Sequence, residues 1–93
     1  MSYRIQLAPT AAEAFTSLHP EIRKQLRAGM KDLAESPYAG KILQNELSEF
    51  LTYRIKRYRI IYKIDSVGKL IKIYMIGHRA DIYDLFSLFV HKR

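Results

Sequence analysis

The chain contains no cysteine, so a disulfide-stapled scaffold and a thiolate-ligated structural zinc site are both excluded. Its three histidines, His19, His78 and His91, are scattered without ligand spacing, and no metal site or cofactor is expected from them. No apolar run is long enough to span a bilayer, and the opening Met1-Ser2-Tyr3-Arg4 carries no apolar signal region. A cytoplasmic protein without membrane association is the expectation. Linkers rich in Gly, Ser or Pro are missing, as are repeats and low-complexity stretches, so residues 1–93 are expected to form one domain. Acidic residues are few, nine against 16 Lys and Arg, which leaves a net charge of +7. A hydrophobic content of 48% nonetheless places the chain among globular rather than disordered sequences.

The positive excess is not spread evenly. Arg54, Lys56, Arg57, Arg59, Lys63, Lys69, Lys72 and Arg79 face Asp65 alone, whereas the rest of the chain balances eight basic against eight acidic side chains. Charge segregated in this way, and interleaved with strand-forming residues, is an electrostatic footprint for a polyanion such as RNA or DNA.

Periodicity supplies the scaffold. Tyr3, Ile5 and Leu7 alternate with Arg4 and Gln6 as in a half-buried strand that Pro9 ends. Thr10 is placed to cap a first helix, with Glu13 three residues on as its capping-box partner, and Ala11, Ala14, Phe15 and Leu18 recur at helical spacing until His19-Pro20. Ile22, Leu26, Met30, Leu33 and Ala34 then mark one face of a second helix, antiparallel to the first, which Ser36-Pro37-Tyr38-Ala39-Gly40 stops. From Phe50 the period becomes two. Leu51, Tyr53 and Ile55 alternate with Thr52, Arg54 and Lys56, and Tyr58, Ile60, Tyr62 and Ile64 with Arg59, Ile61 and Lys63, which implies a tight hairpin near Lys56-Arg57. A turn over Asp65-Ser66-Val67-Gly68-Lys69 leads to Leu70 to Gly77, the most apolar strand and hence the expected central one. Ile82, Leu85, Phe86, Phe89 and Val90 have the spacing of a final amphipathic helix. The expected order is β-α-α-β-β-β-α, an α+β fold.

Alternation places Arg54 with Lys56 on one strand face and Arg59 with Lys63 on a face of the next. Neighbouring strands lie about 5 Å apart, so these cations repel one another unless an anion sits among them. Phosphate binding is one reason to tolerate such clustering, since each neutralised phosphate releases counterions. A solvated sheet face with snorkelling side chains is the other.

Tyr53-Arg54-Ile55-Lys56, Tyr58-Arg59-Ile60-Ile61-Tyr62-Lys63-Ile64 and Ile76-Gly77-His78-Arg79-Ala80-Asp81-Ile82-Tyr83 together resemble the bacterial and archaeal RelE/ParE toxin superfamily, its RelE branch in particular. The leading strand, the helical pair and the Leu43 to Leu47 approach to the sheet fit as well. The resemblance implies a RelE/ParE-like fold, with an antiparallel-rich sheet on a helical hairpin plus a C-terminal helix. It also implies a type II toxin whose cognate antitoxin restrains it and which cuts mRNA on the ribosome, near the 16S rRNA of the decoding site. The family's two arginines and tyrosine carry over to Arg59, Arg79 and Tyr83 as catalytic residues, and its strand lysines to Arg54 and Lys56. Arg57 and Lys63 join these as expected RNA-binding residues. A ParE-type toxin that poisons DNA gyrase, or a noncatalytic module that binds RNA or the ribosome, are the alternatives.

The residue types suit the implied chemistry. Metal-free RNA cleavage needs an acceptor for the 2′-OH proton, a donor for the leaving 5′ oxygen, and cations around a phosphorane that gains negative charge. Guanidinium groups offer permanent charge and forked donors, and nearby cations favour a phenolate that could make Tyr83 a base. Each residue has a plainer role open to it: Arg59 as a surface strand cation, Arg79 as a partner of Asp81 or Asp84, Tyr83 as packing at a helix start. His78 is of a residue type suited to acid or base work, but alternation turns it away from Arg79 and a structural role is expected. Tyr53, Tyr58 and Tyr62 alternate with the cations and are expected to face the core, His19 to sit at a helix end, and His91 in the tail beside Lys92 and Arg93.

Overall fold

The computed structural model describes residues 2–78 together with Ile82, Phe86, Ser87 and Val90. Strand β1 (Arg4–Leu7) leads into helix α1 (Pro9–Thr16) and helix α2 (Pro20–Glu35), then a single 3-10 turn, Pro37–Ala39. Strands β2 (Lys41–Ile42), β3 (Leu51–Ile55), β4 (Tyr58–Asp65) and β5 (Leu70–Gly77) follow, with a second 3-10 turn, Asn45–Leu47, between β2 and β3. The described residues thus give a mixed α+β fold that follows the expected order as far as Gly77, except that β2 is an additional strand. Two residues are too few for alternation to reveal. The helical backbone at Ile82, Phe86, Ser87 and Val90 agrees with the final helix at those positions, whereas Leu85, Phe89 and His91 lie outside the described residues.

Both helices open on proline, whose missing N–H would be unpaired in a first turn anyway. Thr10 is therefore not the N-cap it was expected to be. Pro9 moves the helix start back, so that Ala8 takes the cap position without a side-chain bond and Thr10 lies within the first turn. His19 does cap a helix, but it is the start of α2: its Nδ1 accepts from the Glu21 N–H at 3.1 Å. The end of α1 is closed from α2, where the Arg23 guanidinium donates to the carbonyls of Leu18 at 2.8 Å and Thr16 at 3.2 Å. A cation on those carbonyls meets both their unpaired lone pairs and the negative end of the helix dipole.

The sheet order is β1-β5-β4-β3-β2. Only the β1–β5 pair is parallel; the other three are antiparallel. Leu70–Gly77 is therefore an interior strand but not the middle one, a place taken by β4. The apolar run of β5 reflects helix α1 and strand β1 lying against it rather than centrality. Between β4 and β5 the register slips: Ile61 faces Met75 while Tyr62 faces Ile73, leaving Tyr74 as an extra residue. This bulge shifts the alternation by one, so Ile71, Ile73 and Ile76 all reach the main core.

That core lies between the sheet and the two helices. Leu26, Met30 and Leu33 of α2 meet Leu51, Ile55, Ile60, Tyr62 and the β5 isoleucines. Gly29 marks the closest approach, since a Cβ there would lie 2.6 Å from the Ile55 side chain. On the other sheet face a smaller cluster joins Ile61, Ile82 and Phe86, flanked by Leu43, Leu47, Phe50, Tyr74, Met75 and Val90. Phe50 sets its ring edge-on to Phe86 at 4.8 Å and to Tyr74 at 5.5 Å.

Tyr62 is fully buried, yet its hydroxyl is satisfied. It donates to the Pro37 carbonyl at 2.7 Å and accepts from the Gly40 N–H at 3.1 Å. The segment leading into β2 is thereby tied to the middle strand, and a side chain at position 40 would collide with that hydroxyl and with the Thr52 carbonyl. Burial pushes the Tyr62 phenol up to about 12, against the opposing pull of the Gly40 N–H. Replacing Tyr62 by Phe strands two backbone groups and is expected to cost about 1–3 kcal/mol in urea denaturation at neutral pH. Because the folded pKa lies above the unfolded value near 10, the contribution is complete below pH 10 and is lost as pH rises through 12. The wild type is thus expected to lose roughly 2 kcal/mol more than Tyr62→Phe across that window; parallel pH profiles would show that the phenol is not held neutral.

Candidate functional site

The cationic segment folds into the β3–β4 hairpin. Ile55 pairs with Tyr58 and Arg54 with Arg59, so Lys56 and Arg57 alone make the turn. Lys56 adopts a left-handed backbone, φ 58°, whereas Arg57 does not. Lys56 therefore leaves the strand phase, and the expectation that it shares a strand face with Arg54 does not hold. Arg54 is drawn toward the turn instead, its Nε donating to the Lys56 carbonyl at 2.9 Å. The hairpin tip thus concentrates three cations on four consecutive residues.

Arg54 and Arg59 stand directly opposite each other across the strands. Together with Lys41, Thr52, Tyr53, Gly40 and Ala39 they line a cleft of about 400 Å³ in which, among the described residues, no acidic side chain takes part. Lys41 was not singled out from the sequence, because it belongs to the charge-balanced part of the chain. Its only signal is that it comes directly after the Pro37 to Gly40 turn, where a chain returning to the sheet must pass. The Tyr62 tether to Gly40 is what brings it to the arginines.

Lys63 sits elsewhere. Its Nζ lies 2.6 Å from Glu49, and that hydrogen bond raises its pKa above the usual lysine value. It faces Lys72 across β4–β5 and shares with Lys72, Asp65 and Tyr74 a second cleft of about 390 Å³. Between the two clefts Ile61, expected in the polar phase beside Arg59 and Lys63, is fully buried under Ile82 and Phe86. The reason is tertiary: residues after β5 return over this face and need an apolar seat.

Of the three expected catalytic residues, Arg59 is described and half-buried; Arg79 and Tyr83 lie outside the described residues. Their attachment point is informative. Gly77, at the end of β5, pairs with Arg59 because the bulge at Tyr74 has shifted the phase. A Cβ on Gly77 would lie 2.9 Å from the Ile82 side chain, so glycine permits the chain to double back here. His78, the next residue, sets its ring against Tyr58 at 5.3 Å.

Among the described residues neither Arg54 nor Arg59 has an acidic partner; the ion pair they contain is Lys63 with Glu49. Like charges opposite each other on adjacent strands cost stability. Folding stability is therefore expected to rise with added NaCl, and to rise less in Arg54→Thr, the two slopes differing by roughly 0.2–1 kcal/mol over the range that screens the pair. Identical slopes in thermal denaturation would mean that the two guanidinium groups do not sense each other.

Comparison with known proteins agrees with this architecture. Residues 5–83 match the family described as ParE toxin of type II toxin-antitoxin system, parDE. The chain is 33% identical over 85 residues to Toxin RelG of Mycobacterium tuberculosis (strain ATCC 25618 / H37Rv), covering 89% of this chain and 98% of that protein. Its fold is similar to that in the toxin-antitoxin complex RelBE2 from Mycobacterium tuberculosis, with a TM-score of 0.79 and 30% identity over 87% of this chain and 95% of that one. The isolated E. coli RelE toxin shares the fold at a TM-score of 0.71, with 18% identity over 96% of this chain and 99% of that one. From the match along most of its length and this shared architecture, the chain belongs to the ParE toxin family of type II toxin-antitoxin systems, within the RelE/ParE superfamily.

Proposed function

We propose that this toxin is a ribosome-dependent mRNA endoribonuclease. The observation that carries the proposal is the cleft in which Arg54 and Arg59 face each other with Lys41 beside them and, among the described residues, no acid. A cleft built this way attracts a phosphodiester and offers fixed positive charge where its cleavage develops negative charge. The substrate's own 2′-OH attacks the adjacent phosphorus, forming the P–O2′ bond and breaking the P–O5′ bond, to leave a 2′,3′-cyclic phosphate and a 5′ oxygen that takes a proton from solvent to become a 5′-OH. The nucleophile belongs to the RNA, so no metal-bound water is required. Arg59 and Arg79 stabilise the negative charge that builds on the phosphorane oxygens. Tyr83 takes or positions the 2′ proton, and Arg54, Lys56 and Arg57 hold the RNA backbone. Lys63, paired with Glu49 on the far side of the Ile61 cluster, serves more remote contacts to mRNA or 16S rRNA. Such a substrate places the protein in the cytoplasm.

An antitoxin is the expected protein partner, as in the solved RelBE2 complex of Mycobacterium tuberculosis. Charge complementarity favours an acidic or amphipathic segment that folds as it covers the basic sheet. A second reading, gyrase poisoning, is favoured by one observation, the family match to ParE toxin.

Primer extension on translated mRNA after induction separates these. Ribosome-phased breaks are expected from the wild type, and Arg59→Ala and Arg79→Ala are expected to lower cleavage by at least about 100-fold while remaining folded. Undiminished cutting by either variant would refute its assigned role. Absence of breaks together with stalled gyrase–DNA complexes would favour the second reading.

A further inference from the structure

The tip of the hairpin bears a second cleft, on the side that faces α2. It measures about 490 Å³ and is lined by Ile22, Gln25, Arg54, Lys56, Arg57 and Tyr58. Three cations surround an apolar floor made of one aliphatic and one aromatic side chain, and among the described residues no acid takes part. Tyr58 was expected to turn into the core, and it does pack there in part. It is nonetheless only half-buried, because the cleft between α2 and the hairpin leaves part of it open. From the β5 side the His78 ring supports it at 5.3 Å, tilted by 33°. His78 is not among the residues that line the cleft, so it supports Tyr58 from outside it.

We propose that this cleft is a single-stranded nucleotide subsite in which a base stacks on Tyr58 while Lys56 and Arg57 hold its phosphate. Stacking on an aromatic ring within a cationic groove is how proteins hold unpaired nucleotides without demanding one base. The Gln25 side-chain amide, exposed on α2, supplies a donor and an acceptor to the base edge. Arg54 lines both this cleft and the one it shares with Arg59. A strand crossing the hairpin at Arg54 therefore has a nucleotide on each side, and this subsite takes the one next to the reacting phosphate. The route along α2 is less suited to a polyanion, because Glu21 and Asp32 line the neighbouring cleft with Lys24. The assignment rests on the endoribonuclease reading for its biological role, but its test does not.

The test is fluorescence anisotropy of the full chain with two uncleavable probes of equal charge, 2′-O-methyl hexaadenylate and an abasic 2′-O-methyl hexamer. The wild type is expected to prefer the base-bearing probe by roughly 5- to 100-fold. Tyr58→Leu is expected to abolish that preference while keeping its affinity for the abasic probe, and Tyr58→Phe to retain it. Should Tyr58→Leu unfold, Gln25→Glu sets a carboxylate in the cleft from an exposed helical position and is expected to weaken both probes by about 3- to 10-fold through repulsion. A wild type indifferent to the bases, an undiminished preference in Tyr58→Leu, or unchanged binding in Gln25→Glu would each overturn the subsite. Base-dependent binding without ribosomal cleavage would leave the subsite standing and sink only the nuclease reading.

Discussion

The extra residue at Tyr74 in β5 determines what each face of the sheet can do. Without it, strict alternation would carry Met75 and Gly77 into the main core after Ile71 and Ile73, and would turn Ile76 outward. With it, Ile71, Ile73 and Ile76 all pack under the helices, while Tyr74 and Met75 both serve the opposite cluster. Gly77 then pairs with Arg59, so the chain leaves the sheet beside the arginine cleft. A bulge both strengthens twist and re-aims the residues beyond it. Here it lets one strand satisfy two cores and still deliver its C-terminal end to the cationic end of the hairpin.

The face away from the helices is consequently not a uniform cationic plane. Its apolar middle, Ile61 under Ile82 and Phe86, divides two charged regions of different character. At the hairpin end Arg54, Arg59 and Lys41 are uncompensated among the described residues. At the other end Lys63 is engaged by Glu49, and Lys63 and Lys72 each lie over an aromatic face, of Phe50 at 5.9 Å and Tyr74 at 5.4 Å. Exposed pairs and cation–π contacts of this kind contribute little individually, yet they quiet the field locally. The strongest anionic attraction is left where the hairpin turns.

Much of this was legible because periodicity reports which side chains share an apolar environment. The α2 stripe of Leu26, Met30 and Leu33 and the β3 and β4 residues Leu51, Ile55, Ile60 and Tyr62 reach one core as their spacing implies. The two-residue turn at Lys56-Arg57 is implied by the closeness of the two strand patterns. The features that escaped depend on contacts between distant segments. Lys41 owes its place to a hydroxyl 22 residues beyond Gly40, and Ile61 its burial to residues beyond β5. The bulge is invisible because Tyr74 and Met75 both suit a strand, so no residue type marks the slip. Thr10 resembles a cap only until the tolerance of a first turn for Pro9 is weighed.

The left-handed backbone of Lys56 has a consequence for how such a protein changes over time. A residue other than glycine in that region stores about 1 kcal/mol or more of steric cost, so exchange for glycine would relax the turn and remove a cation in one step. Pressure toward sturdiness alone would therefore erode charge at this turn, as at Lys69, whose φ of 54° lies in the same region. Lysine at this corner thus combines a backbone cost with a positive charge at the tip of the hairpin.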